Sequence, residues 1–570
     1  MKIIILFLIL VHCSASNVVA KSNVLFIAID DLNDWVGCLG GHPQSRTPNL
    51  DRLALSGVLF SNAHCAAPSC NPSRTAVFTG ISPHRSGLYR NGQSMRQVLP
   101  DAELIPKTFS RAGYRSIGSG KMLHYFIDQR SWDEYFPAKE SENPFPRTLY
   151  PKNRPVNLTR AGPWQYIETD WGALDATDQE FGGDYLVSEW VGKELSKKHD
   201  KPFFLACGIY RPHEPWFVPK KYFDAFPIED IQLPPGYREN DLNDLPAQGK
   251  RLGPNRYFAH IREQGQWKKA IQGYLASIYF ADTMLGNVLE KLENGPNTNN
   301  TIVVLWSDHG WHLGEKEHWQ KFTAWRACTR VPLIVRVPKG SEGLPNGTKP
   351  SICSEPVSLL SLAPTLLELN GLNPNKNYDG PSLVPLLEEP QSKWPHVATT
   401  YLDAPGSFSI SENEWRYIKY ADGGEELYYT VKDPYEWHNL ADDPSSQSDL
   451  IRLRSHAPVK FADLVKPNLN ALPQLKLFPL NNRQMAPSSK PDGNPFEVIF
   501  VNQTDRNVEL FWMNPNGGRK SYKIIGSGQR FPQQTRPGAV WMISETTEDS
   551  GKSLGYFKVG DRSAKGVISE

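Results

Sequence analysis

The chain is poor in cysteine and methionine, with seven of each in 570 residues. Its cysteines, Cys13, Cys38, Cys65, Cys70, Cys207, Cys328 and Cys353, form no CxxC pair. That spacing excludes a clustered zinc site and a dense disulfide framework. If Cys13 leaves with a leader and Cys70 is reserved for chemistry, five remain, so at least one cannot pair within the chain. An excess of charge is missing too: Lys+Arg 62 against Asp+Glu 61 leaves a formal net charge of +1. There is then no global electrostatic reason to expect nucleic acid or an anionic membrane as partner, and anion recognition must be local. Beyond the N-terminus no apolar run is long enough to span a bilayer.

The N-terminus itself reads Met1-Lys2, then an apolar run from Ile3 to Val11, then small residues at Ser14, Ala15, Ser16 and Ala20. This is the pattern of a cleaved secretory signal over 1–20, and it predicts a soluble, exported mature chain. His12 before Cys13 fits poorly with a lipoprotein leader. A length of 570 residues predicts two or three domains. The 16 Trp and 22 Tyr suit carbohydrate surfaces, and equally fill cores.

Val24 to Ile29 is a continuous apolar run fit for a buried parallel strand, and Phe203 to Ile209, Thr301 to Trp306 and Leu333 to Val337 are of the same kind. Thr47-Pro48 predicts a helix start, with Gly57 as its stop. Ile271, Leu275, Ile278, Leu285, Val288 and Leu292 recur at helical spacing. Strands alternating with helices predict an α/β sandwich with a mostly parallel central sheet over 21–395. From 396 to 466 the pattern becomes antiparallel: Trp415 to Tyr420, a turn at Asp422-Gly423-Gly424, Leu427 to Thr430, then a helix around Leu450 to Leu464. Residues 467–494 read as a linker, and 495–563 as an appended all-β sandwich.

Chemistry concentrates at three places. Cys70-Asn71-Pro72-Ser73-Arg74 puts a thiol at a loop-to-helix junction, where unpaired N–H groups favour developing negative charge. Arg74, one turn on, adds a forked donor for a tetrahedral oxyanion. Asp30-Asp31 and Asp308-His309 each follow a predicted strand, where ligands of open α/β sheets gather. Paired carboxylates are costly neighbours without a cation, and hard oxygens favour Ca²⁺ or Mg²⁺. Either pair alone reads equally well as a solvated loop start.

Taken with Gly120-Lys121-Met122-Leu123-His124, Arg211-Pro212-His213-Glu214-Pro215 and the run from Ser307 to Glu315, these strings resemble the type I sulfatases. The Asp-His form at 308–309 resembles the iduronate-2-sulfatase-like bacterial branch. The resemblance runs from about Asn23 to the turn near Asp433 and implies an alkaline-phosphatase-like fold. It implies that Cys70 is oxidised to formylglycine by a formylglycine-generating enzyme, and that Asp30, Asp31, Cys70, Asp308 and His309 hold one Ca²⁺, with Mg²⁺ possible. Arg74, Lys121, His124, His213 and Lys321 complete the implied catalytic set: Arg74 holding the hydrate, the lysines stabilising charge, His213 as acid and His124 as base. The implied activity is hydrolysis of sulfate esters on a polysaccharide or oligosaccharide. Trp311 and Trp319 are candidates for the sugar subsite, and the loops Phe126 to Asp170 and Pro219 to Tyr257 for selectivity. A phosphate or phosphonate monoester hydrolase of the same superfamily, or a sulfated-glycan-binding protein without activity, are the alternatives.

In the tail, Phe496 to Asn502, Phe511 to Asn514, Tyr522 and Val540-Trp541-Met542 resemble the von Hippel–Lindau β-domain. Tyr522 and Trp541 match aromatic pocket positions of that family, whereas Ala539 stands where it has a histidine. The resemblance implies a peptide partner, and a packing or glycan-contacting module is the alternative.

Overall fold

A strand that is apolar at every position must be covered on both faces. In the computed structural model, β1 (Asn23–Ile29) is buried throughout and lies inside an eight-stranded sheet. The structure describes residues 21–569 apart from 140–142, 160–168, 374, 467, 471, 482–483, 492–495, 547–551 and 561–562. The leader expected over 1–20 lies outside the described residues.

The remaining strands of this sheet are β2 (Val58–Phe60), β3 (Arg115–Gly120), β4 (Glu134–Phe136), β5 (Phe203–Ile209), β6 (Thr301–Ser307), β7 (Leu333–Arg336) and β8 (Ser351–Cys353). Their order is β8-β2-β7-β6-β1-β5-β3-β4. β4, β3, β5, β1 and β6 run parallel as neighbours, and β8 runs parallel to β2. β7 is antiparallel to both its neighbours, so the expectation of a parallel strand at Leu333 to Val337 is corrected. An apolar run reports burial on both faces and carries no information on direction.

Alternate residues of β1 feed two cores. Leu25, Ile27 and Ile29 pack with Ile271, Leu275, Ile278 and Leu285 of the long helix α3 (Trp267–Glu293). Val24, Phe26 and Ala28 pack with Val77 and Phe78 of α2 (Cys70–Thr79) on the other face. The first helix, α1 (Pro48–Ala54), ends before the expected stop at Gly57. A Cβ on Gly57 would lie 2.6 Å from the Val335 carbonyl oxygen, so this glycine permits close approach to β7 rather than capping a helix.

The antiparallel unit is β9 (Ala398–Tyr401), β10 (Phe408–Glu412), β11 (Trp415–Lys419) and β12 (Glu425–Tyr429), paired in that order. The helix after it, α4 (Gln447–Ser455), is shorter than expected because Pro458 disfavours helical backbone at Ala457.

The tail is a two-sheet sandwich. Its strands are β13 (Leu477–Pro479), β14 (Phe496–Asn502), β15 (Val508–Met513), β16 (Arg519–Ile525), β17 (Arg530–Thr535), β18 (Val540–Glu545), β19 (Ser553–Lys558) and β20 (Ala564–Ile568). The sheets are β13-β19-β18-β15-β16 and β17-β14-β20, enclosing Val498, Leu510, Trp541 and Phe557. Thus the stretch 467–494 contributes an edge strand, and the sandwich extends past 563 to β20. Trp541 is buried, with Nε1 donating to Thr535 Oγ1 at 2.8 Å, and Tyr522 packs edge-on against its ring. No helix among the described residues is long and apolar enough to cross a membrane. The six cysteines of the described residues are all unpaired.

Candidate active site

Four neighbouring parallel strands, β3, β5, β1 and β6, end on the same edge of the sheet, and each hands its next residues to one centre. Lys121 follows β3, His213 follows β5, Asp30 and Asp31 follow β1, and Asp308 and His309 follow β6. Facing them is Cys70, the first residue of α2, whose N-cap is the extended Ser69 and whose stop is the left-handed Gly80. Every side chain of α2 is buried, so the thiol enters from beneath the sheet edge rather than from solvent.

Cys70 Sγ lies 3.0 Å from Lys321 Nζ, 3.3 Å from His309 Nε2, 3.5 Å from Lys121 Nζ and 3.8 Å from Asp31 Oδ1. Burial opposes ionisation of the thiol, but Lys121, Lys321 and His309 override it and hold Cys70 well below its usual range. Arg74 spends four of its five N–H donors on other partners. Its Nη2 donates to Asp30 Oδ1 and its Nε to Asp308 Oδ2, both at 2.8 Å, while Nη1 reaches the carbonyls of Lys121 and Met122. With Cys70 as a thiol, Arg74 acts on it electrostatically and positions the two carboxylates Asp30 and Asp308. Lys121 Nζ also donates to Asp30 Oδ2, so burial of Asp30 is offset by Lys121 and Arg74, which keep it ionised.

The candidate ligand atoms fall into two groups. Asp31, Cys70, Asp308 and His309 offer donors all within 4.8 Å of one another, and Asp30 groups instead with Asp31 and His213. His309 Nδ1 lies 3.0 Å from the Gly310 carbonyl, which turns Nε2 toward Cys70, Asp31 (3.3 Å) and Asp308 (3.5 Å). Burial raises Asp308 to about 6, although Arg74 and His309 oppose the shift. Burial disfavours charge on His309, yet Asp308 prevails and raises it to about 9.

The other two histidines differ in state. His213 Nδ1 lies 2.6 Å from the Glu214 carbonyl, an acceptor, so this nitrogen carries a proton. Its Nε2 sits 3.1 Å from Tyr125 Oη and 3.6 Å from Asp31 Oδ2. Burial resists the imidazolium, and Asp31 overcomes it, so His213 is raised. His124 is lowered to about 4, because burial outweighs the attraction of Cys70, and its Nδ1 has no hydrogen-bond partner among the described residues.

Lys321 projects from a strained turn in which Lys316, Glu317, Gln320 and Phe322 all have positive φ, from 49° to 82°. Trp311 joins Lys321 on the wall of a cleft of roughly 430 Å³ that opens beside Cys70. Trp319 does not line that cleft; it is packed in the core against Trp216, with ring centroids 5.7 Å apart. Sequence reasoning missed Tyr125, Tyr274, Ser73 and Ser307. Ser73 Oγ donates to the Asp308 carbonyl, and Ser307 Oγ accepts from Leu32 N, tying the two acidic strand ends together. For Ser73 the signal was available, since it sits between Cys70 and Arg74 on the same helix.

A buried group at a helix start, ringed by lysines and carboxylates at the carboxyl ends of strands, suits displacement at a tetrahedral anionic ester. A family model described as Sulfatase matches residues 22–372, and one described as N-sulphoglucosamine sulphohydrolase, C-terminal, matches 314–457. The chain is 38% identical over 453 residues to a sulfatase of Formosa agariphila, covering 77% of this chain and 87% of that protein. It is 32% identical over 412 residues to mouse (Mus musculus) iduronate 2-sulfatase, covering 66% and 73%. Among solved structures, a phosphonate monoester hydrolase of Agrobacterium radiobacter superposes with a TM-score of 0.60 at 23% identity, over 77% of this chain and 96% of that one. The chain belongs to the sulfatase family, hydrolases of sulfuric esters, and has their alkaline-phosphatase-like fold.

Proposed function

We propose that the chain removes sulfate from a sulfated carbohydrate, with Cys70 converted to formylglycine and one divalent cation, Ca²⁺ in preference to Mg²⁺, beside it. The observation that carries this reading is the position of Cys70 Sγ among Lys321, His309 and Lys121. Sγ stands in for the oxygens of a formylglycine hydrate. Such a hydrate supplies one hydroxyl to attack sulfur and a second that expels sulfate on losing its proton, which a plain Ser or Cys cannot do.

The donor chemistry fits a hard cation. Asp31, Asp308 and His309 would hold it with an oxygen in place of Sγ, and Asp30 at the edge of the set; Ca²⁺ accepts such a large, irregular shell. When bound, it would polarise the sulfate oxygens. Asp30, Asp31 and Asp308 face Arg74, Lys121 and Lys321, so the fixed charges balance and a divalent ion leaves the centre positive for an anionic ester.

Lys121 and Lys321 are within reach of the group that replaces Sγ and would stabilise charge gathering on the sulfate oxygens. His213, raised and carrying a proton on Nδ1, can present a second proton from Nε2 to the departing sugar oxygen. His124, lowered and unpartnered at Nδ1, is neutral and suited to take the proton of the second hydroxyl. Environments that push two histidines apart assign acid and base in this way.

The test is sulfate release from a panel of sulfated oligosaccharides, with Cys70→Ala as control and a carbonyl probe for the aldehyde. Activity surviving Cys70→Ala would sink the mechanism. Faster turnover of phosphate or phosphonate monoesters would favour that class, and binding without turnover by aldehyde-bearing protein would mark a glycan-binding protein. The same reading includes maturation by a formylglycine-generating enzyme, export after loss of residues 1–20, and catalytic units at 21–395 and 396–466. N-terminal sequencing of secreted protein checks the export step.

A further inference from the structure

The cleft beside Cys70 has a wall that does not come from the catalytic units. Its lining includes His124 and Lys321 together with Glu497 of β14 and Gln534 of β17. These two are cross-strand partners in the β14/β17 ladder, so their side chains stand side by side on one face. The end of the second unit is tied to the first, Tyr89 Oη donating to the Ala462 carbonyl and Gln93 Nε2 to the Val465 carbonyl, both at 3.0 Å, and in the segment that leads to the sandwich Asn468 N donates to Gln97 Oε1 at 3.3 Å.

Glu497 and Gln534 make no side-chain hydrogen bond or ion pair among the described residues, although Glu497 is half-buried. Arg90, which acts electrostatically on Glu497, gives its Nε to the Asp403 carbonyl at 2.9 Å. At the same cleft Phe322 is 42% exposed with φ 77°, a flat apolar surface held in a conformation that a bulky residue rarely adopts. A carboxylate and an amide side by side, in the same cleft as an exposed ring, match the hydroxyls and apolar face of a sugar.

We propose that the appended sandwich forms a wall of the substrate cleft, and that Glu497 and Gln534 bind hydroxyls of a sugar flanking the sulfated one. The substrate is then an oligosaccharide longer than its sulfated residue. This rests on the sulfated-carbohydrate reading above and adds the neighbouring subsite.

The experiment uses full-length Cys70→Ala protein, with and without Glu497→Ala/Gln534→Ala, in calorimetric titrations. The probes are heparin-, chondroitin- and carrageenan-derived sulfated tetrasaccharides, with the sulfated monosaccharide of each. One tetrasaccharide is expected to bind more tightly than its monosaccharide, and the double substitution to weaken it about tenfold, the scale of two hydrogen bonds, leaving the monosaccharide unchanged. Equal affinity for tetrasaccharide and monosaccharide, an unchanged tetrasaccharide, or equal weakening of both would overturn the proposal. Failure of the wild-type protein to release sulfate from any of these probes would instead count against the functional reading, since the titrations need no turnover.

Discussion

Tyr274 Oη donates to the Asp31 carbonyl at 2.8 Å and accepts from Asn33 N at 3.1 Å, clamping Asp31 at φ 57°. A left-handed backbone at a non-glycine residue persists only where its surroundings over-determine it. The long helix thus sets the direction in which the Asp31 carboxylate points.

Replacing Tyr274 by Phe leaves a buried carbonyl and a buried N–H without their partner. A stability loss of about 1–3 kcal/mol is expected from denaturant titration. Sulfate release is expected to fall by more than the loss of folded protein, because Asp31 is free to rotate away from His309 and Lys321. Full activity in the folded fraction would show that the clamp has no catalytic role.

His213 and His124 should separate by leaving group. A sugar alkoxide needs a proton on departure and a nitrophenolate hardly does. His213→Gln should lower turnover of a sugar sulfate roughly 10²–10⁴-fold while costing much less on 4-nitrophenyl sulfate. His124→Gln should slow both substrates alike, since release of enzyme-bound sulfate is common to them. Equal losses on both substrates for His213→Gln would remove it as the acid.

Metal removal is the third test. Prolonged EGTA treatment should abolish sulfate release and lower the melting temperature, and added Ca²⁺ should restore both, because an ion that binds only the folded chain stabilises it. Asp308→Asn protein should show little melting response to Ca²⁺. An unchanged melting temperature after verified removal of bound metal would contradict the assigned ligand set.

Stability should also carry a signature of Glu315, whose Oε2 accepts from Leu313 N at 2.7 Å. Burial raises this carboxyl to about 7, against the backbone N–H groups that favour its charge. The folded state therefore holds this proton up to a higher pH than the unfolded chain does. Its contribution is fully present below about 4.5 and is lost as pH rises to about 7, a change on the order of 3 kcal/mol. Glu315→Gln should remove that slope, so the variant gains on the wild type between these pH values. Parallel stability curves would refute the assignment.

The sequence by itself carried the residues that gather at the candidate site and the layer type, because both depend on local patterns. Asp30-Asp31 and Asp308-His309 each sit at the end of an apolar run, and the sheet topology brings such ends to one edge. What tertiary structure alone decided was who touches whom. Arg74 sits one helical turn from Cys70, and only the tertiary structure shows that Asp30 and Asp308, arriving from β1 and β6, each take one of its donors. Trp311 and Trp319 have the same composition-level claim on a sugar, and only packing puts one on the cleft and the other in the core. The direction of β7 and the joining of β13 to the sandwich were hidden because hydrophobicity encodes burial, and strand pairing is chosen by distant partners. Glu497 and Gln534 had no local signal at all. Their place in the cleft lined by Ser69, His124 and Lys321 brings together segments hundreds of residues apart, which no window of sequence contains.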